Sequence, residues 1–149
     1  MTMKKALLST LAVAVMAGAS VLAAQKSDEP AIGGYCPVAY QAAGKAQKGD
    51  PKVTSTFESQ TFRLTNPMVK QMFDKEPAKY APGYQGFCAA AVAKGMKLKS
   101  NPELFTVENG KTYLFSTAQA KQMFDKDKAN MIAMANANWP KVAKMAVAK

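Results

Sequence analysis

Two cysteines, Cys36 and Cys88, carry most of the chemistry available to this chain, which contains no histidine. That absence excludes histidine-based zinc sites, Ser-His-Asp and Cys-His catalysis, and haem with a histidine ligand. Each cysteine stands where a short helix is expected to begin. Cys36 is followed by Pro37, which suits a first helical position, and Gly44 suits the end of that helix. A thiol thus replaces the usual Ser, Thr, Asp or Asn cap. The amides and dipole of a helix start favour the thiolate. Three chemistries remain open. A disulfide would close a loop of about fifty residues and add roughly 2–4 kcal/mol. Paired thiolates would select a soft metal, above all Cu(I), with Met96 available as a third ligand. Thiol-disulfide catalysis is the weakest candidate, because Cys-X-X-Cys spacing is missing. Met68, Met72 and Met123 read better as core stripes of helices than as ligands, whereas Met131 and Met134 suit core or surface equally. Tyr35, Tyr40, Tyr84 and Phe87 flank the cysteines and suit the walls of a small pocket, although aromatics beside glycine are commonly plain packing. The acidic pairs supply no convincing general acid and base.

An internal repeat positions the two thiols. Lys70-Gln71-Met72-Phe73-Asp74-Lys75 recurs as Lys121-Gln122-Met123-Phe124-Asp125-Lys126, and Thr61–Thr65 aligns with Thr112–Ser116 at the same spacing. Upstream, after a slip of one residue, Gly34-Tyr35-Cys36 aligns with Gly86-Phe87-Cys88. The cysteines are therefore equivalent in two halves, each reading as short helix, hairpin, helix. In the first half these are 36–43, strands 54–57 and 61–64 around Glu58-Ser59, and a helix capped by Asn66 with Pro67 first. In the second they are 88–94, strands 105–108 and 111–115 around Asn109-Gly110, and a helix capped by Ser116 or Thr117. A last helix is expected over about 128–137, followed by a loosely ordered tail at 141–149. A lone hairpin is marginal, so the expectation is one compact α+β domain of two pseudo-symmetric helix-β-hairpin-helix halves sharing a core. A pseudo-twofold axis would allow Cys36 and Cys88 to approach each other.

Lys4 and Lys5, an apolar run to Ala19 and a small-residue exit through Ala23-Ala24 have the form of a secretory signal peptide, taken as residues 1–24. A flexible lead-in is expected over 25–33. Removing the leader changes the formal charge from +10 to +8 by loss of two lysines. Lysines dominate and are dispersed, with Arg63 the single arginine, so a solvated surface is expected rather than nucleic-acid binding. No second apolar stretch reaches membrane-spanning length. The expectation is a periplasmic or secreted protein without a transmembrane segment in its mature form.

Over roughly 34–140 the chain resembles the YHS domain family in its small exported form. The resemblance rests on Gly34-Tyr35-Cys36-Pro37-Val38-Ala39-Tyr40, on Phe73-Asp74-Lys75-Glu76-Pro77-Ala78-Lys79-Tyr80-Ala81-Pro82, on Tyr84 to Gly95, and on Ala137-Asn138-Trp139-Pro140. It implies a small α+β module associated with metal-handling proteins, including heavy-metal transporters. Two departures stand out: there is no histidine, and Cys36 replaces the family's aspartate, completing a pair with a cysteine common in exported members. The resulting expectation is a non-enzymatic protein binding copper through Cys36 and Cys88, in storage, delivery or tolerance and with a possible protein partner. The alternative is a disulfide-stapled module that binds a small molecule or protein.

Overall fold

Asn66 and Thr117 start the two repeated helices as polar caps: Asn66 Oδ1 accepts from the Val69 amide at 3.0 Å, and Thr117 Oγ1 from the Ala120 amide at 3.1 Å. In the computed structural model, which describes residues 29–149, these helices are α2 (Pro67–Lys75) and α5 (Ala118–Lys126). Short helices α1 (Pro37–Ala42) and α4 (Ala89–Ala93) follow the cysteines; α3 (Pro77–Tyr80) and α6 (Lys128–Val142) complete the six α-helices among the described residues. Strands β1 (Asp50–Phe57) and β2 (Gln60–Leu64) form one antiparallel hairpin, and β3 (Asn101–Glu108) and β4 (Lys111–Phe115) another. The chain is one compact α+β domain.

The hairpins share an irregularity. Pairing runs regularly from Thr54 opposite Arg63 and from Phe105 opposite Leu114, then jumps to Asp50 opposite Leu64 and Asn101 opposite Phe115. At each jump a side chain folds onto the backbone two residues ahead: Asp50 Oδ1 accepts from the Lys52 amide at 2.8 Å, and Asn101 Oδ1 from the Glu103 amide at 3.0 Å. Such local bonds compete with the ladder. Thr54 and Phe105, the expected strand starts, mark where regular pairing begins; the strands themselves reach back to 50 and 101. The slip of one residue in the repeat corresponds to α4 being one residue shorter than α1.

The buried side chains form two clusters. Val38, Ala39, Phe62, Leu64, Phe73 and Tyr80 belong to the first. The second gathers the Ala89–Ala93 helix with Tyr113, Phe115, Phe124, Ala135 and Val142. The expected methionine stripes are not core: Met68 is 74% exposed, and Met72 and Met123 are exposed too, because α2 and α5 bury only Phe73 and Phe124 fully. Met131 packs partly against the second cluster and Met134 is exposed.

Both ends of the expected domain also shift. Helix α6 does not stop near Ala137 but continues through Pro140 to Val142. Burial of Val142 offsets the proline's missing hydrogen bond. Asn138 Nδ2 donates to the Val92 and Ala93 carbonyls, joining α6 to the end of α4. Beyond it, Lys97 Nζ donates to the Ala143 and Met145 carbonyls, and the Ala148 amide donates to the Lys97 carbonyl. These bonds tether the tail at Lys97, while residues 144–149 are exposed. Of the expected lead-in over 25–33, residues 25–28 lie outside the described residues, and Ala31–Gly34 belong to a tight turn with Ala31 buried. The signal-peptide assignment lies outside the described residues. Among those described, no helix is long and apolar enough to cross a membrane.

Candidate functional site

The two thiols have similar backbone surroundings. Cys36 and Cys88 precede α1 and α4, and their amides donate to the Gln47 carbonyl at 2.7 Å and the Leu98 carbonyl at 3.0 Å. Neither side chain caps its helix. Both cysteines are free and buried, and they belong to different core clusters. Ser116, expected only as a helix cap, donates through Oγ to Cys88 Sγ at 3.4 Å. Met96 lies past the opposite end of α4 from Cys88 and is 43% exposed. Among the described residues, no three His, Cys, Asp or Glu side chains converge as a metal cluster.

Immediately before each cysteine the backbone makes the same unusual turn. Ile32, Gly33 and Gly34 all have positive φ, and so do Tyr84, Gln85 and Gly86. The turns meet: a Cβ on Gly86, whose φ is +82°, would stand 2.5 Å from Ile32 Cγ2. They border a hollow of about 250 Å³ that also includes Phe87 and Ser100. Ser100 Oγ donates to the Gly86 carbonyl at 2.6 Å and Gln60 Nε2 to the Gln85 carbonyl at 3.0 Å. These bonds satisfy carbonyls that no regular element serves.

The four aromatic residues expected around one pocket are distributed. Phe87 lines the hollow between the turns, Tyr84 a second and Tyr40 a third, while Tyr35 lines none of these three. Tyr40 is buried, its hydroxyl donating to the Pro102 carbonyl at 2.7 Å and its ring edge-on to Phe105. Burial, with smaller contributions from Tyr35, Cys36 and Glu103, pushes its phenol above the ordinary tyrosine range. Tyr84 is likewise pushed up by burial and by Tyr113, and donates to Asn136 Oδ1 at 2.9 Å. Tyr35 donates to Glu103 at 3.1 Å; desolvation first, then that carboxylate, raises its pKa. All three phenols remain proton donors at neutral pH.

The second hollow, about 260 Å³, brings together Glu58, Lys111 and Trp139, none of them a site candidate from sequence. Lys111 Nζ donates to the Ala78 carbonyl at 2.9 Å. Burial pulls its pKa down, with Glu58 acting in the opposite direction. One signal was available in the repeat: Glu58-Ser59 occupies the turn that Asn109-Gly110 occupies in the second half. Comparison with models of protein families, with curated proteins and with solved structures finds no match.

Proposed function

We propose that the chain is an exported, non-catalytic YHS-like module that binds a soft metal, Cu(I) foremost, through Cys36 and Cys88, for storage, delivery or tolerance. The carrying observation is that both thiols are free and hold equivalent places in the two halves. With no histidine in the chain, thiolates and thioethers are its soft donors. The proposal extends to a duplicated unit with a pseudo-twofold relation. It is supported by the matching strands, the matching register jumps and the paired left-handed turns.

The geometry adds a condition. The thiols sit in different clusters, so one ion shared between them would have to bridge the two halves. Copper stoichiometry decides the matter. Under the proposal, reduced protein takes up one Cu(I) against a competing chelator, and Cys36→Ser or Cys88→Ser alone abolishes the tight binding while the fold persists. Absence of competitive binding by the reduced wild type overturns it. The rival reading, a module for a small molecule or partner, draws on the hollows described above.

A further inference from the structure

The second hollow lies where the tip of the first hairpin meets the second half. One wall carries packed aromatic rings: Tyr84 is 5.8 Å from Tyr113 and 5.7 Å from Trp139, centroid to centroid. Gly83 makes this wall possible. A Cβ there would stand 2.8 Å from the Tyr113 ring. Two opposite charges are placed at this wall. Lys111 is half-buried, and its ammonium has donors left after bonding the Ala78 carbonyl. Asn136 accepts from Tyr84 through Oδ1, so its amide N–H groups remain for a ligand. Glu58 is exposed at the rim.

Glu58 also sits in a costly conformation. Its φ is +48°, close to the +50° of Asn109 at the equivalent turn position. Asparagine tolerates this region, whereas for most side chains it costs about 1 kcal/mol or more. The hairpin turn itself requires positive φ at this position, and it is that turn which holds Glu58 at the hollow.

The two repeats differ in the residues that shape this hollow. Where the second half has Gly83, Tyr84, Lys111 and Tyr113, the first has Ala31, Ile32, Gln60 and Phe62; where the first has Glu58, the second has Asn109. We infer that this hollow is a binding site for a small zwitterion with a flat ring, of the aromatic α-amino acid class. The ring lies along Tyr84 and Trp139, the carboxylate meets Lys111 and Asn136, and the ammonium meets Glu58. The volume suits a ligand smaller than a typical drug. This inference is independent of metal binding.

Trp139, the sole tryptophan of the chain, reports on the site by its fluorescence. The experiment titrates purified protein with L-phenylalanine, which is not excited with the indole. The same is done with 3-phenylpropanoate, which lacks the ammonium, and 2-phenylethylamine, which lacks the carboxylate. A saturable change with L-phenylalanine is expected, each analogue binding about tenfold more weakly or worse. Lys111→Gln and Glu58→Asn, which introduce the residues of the other repeat, are expected to weaken L-phenylalanine by about tenfold or more. Circular dichroism checks that each variant is folded. No saturable response of the wild type to millimolar L-phenylalanine overturns the inference, and so do analogues that bind equally well. Folded variants with unchanged affinity also overturn it; if a variant does not fold, the wild-type analogue series decides alone.

Discussion

Replacing Gly86 by alanine tests the contact between the two left-handed turns that lead into the cysteines. Two costs are expected. The backbone at Gly86 has φ +82°, where an L side chain costs about 1–2 kcal/mol. The new Cβ would stand 2.5 Å from Ile32 Cγ2, well inside the usual ~3.5–4.0 Å carbon separation. One turn must therefore shift by about an ångström, and overpacking of this kind costs about 1–3 kcal/mol. Together the loss is about 2–5 kcal/mol, a large part of the stability expected of a small domain. Gly95→Ala separates the two costs: its φ is +78° but no atom lies within 4 Å of the added carbon, so only the backbone cost applies. Ile32→Ala removes the clashing methyl and should reduce the penalty at position 86 to that at position 95. Urea unfolding followed by Trp139 fluorescence gives these differences, provided the denaturant slope is unchanged. A Gly86→Ala penalty no larger than that of Gly95→Ala would refute the reasoning, as would strict additivity with Ile32→Ala.

Acid stability should depend on a repeated carboxylate. Asp74 is held low by hydrogen bonds from Lys70 and then Ser55; at Asp125 burial works upward but is outweighed by bonds from Lys121 and Thr106. In both cases the folded state binds fewer protons than the unfolded one, so the added stability is full above about pH 4 and is lost as pH falls through the lowered values. Solvent screening limits each to about 1 kcal/mol or less. Asp74→Asn/Asp125→Asn should therefore be less stable than wild type at pH 6 and converge with it toward pH 2 in urea titrations; a constant difference across that range would contradict the assignment. Deleting residues 141–149 exposes the Val142 site and should cost about 1.5–3 kcal/mol; an unchanged melting temperature would show that the tail is not docked. Alkylation of the reduced protein followed by mass spectrometry should label neither buried cysteine quickly in the native state and both in denaturant. Rapid native labelling would contradict their burial.

Local chemistry was legible in the sequence because it acts over a few residues. Asn66, Thr117 and Asn109-Gly110 mark helix starts and a turn through their own hydrogen bonds and backbone preferences. The repeat also placed Cys36 and Cys88 at equivalent helix starts. Tertiary packing decided the remaining features. It carried α6 through Pro140, where local preference stops a helix, because Val142 has a buried site to fill. It turned Met68, Met72 and Met123 outward, since Phe73 and Phe124, with Val69 and Ala120 partly packed beside them, fill the core beneath their helices. Periodicity defines a helical face, but whether each part of that face is covered depends on distant chain. For the same reason equivalent positions did not imply a shared site. The thiols joined separate clusters, and the four aromatics around them lined different hollows or none. Glu58, Lys111 and Trp139 come together only in the folded chain, because they lie far apart along it and no local interaction links them.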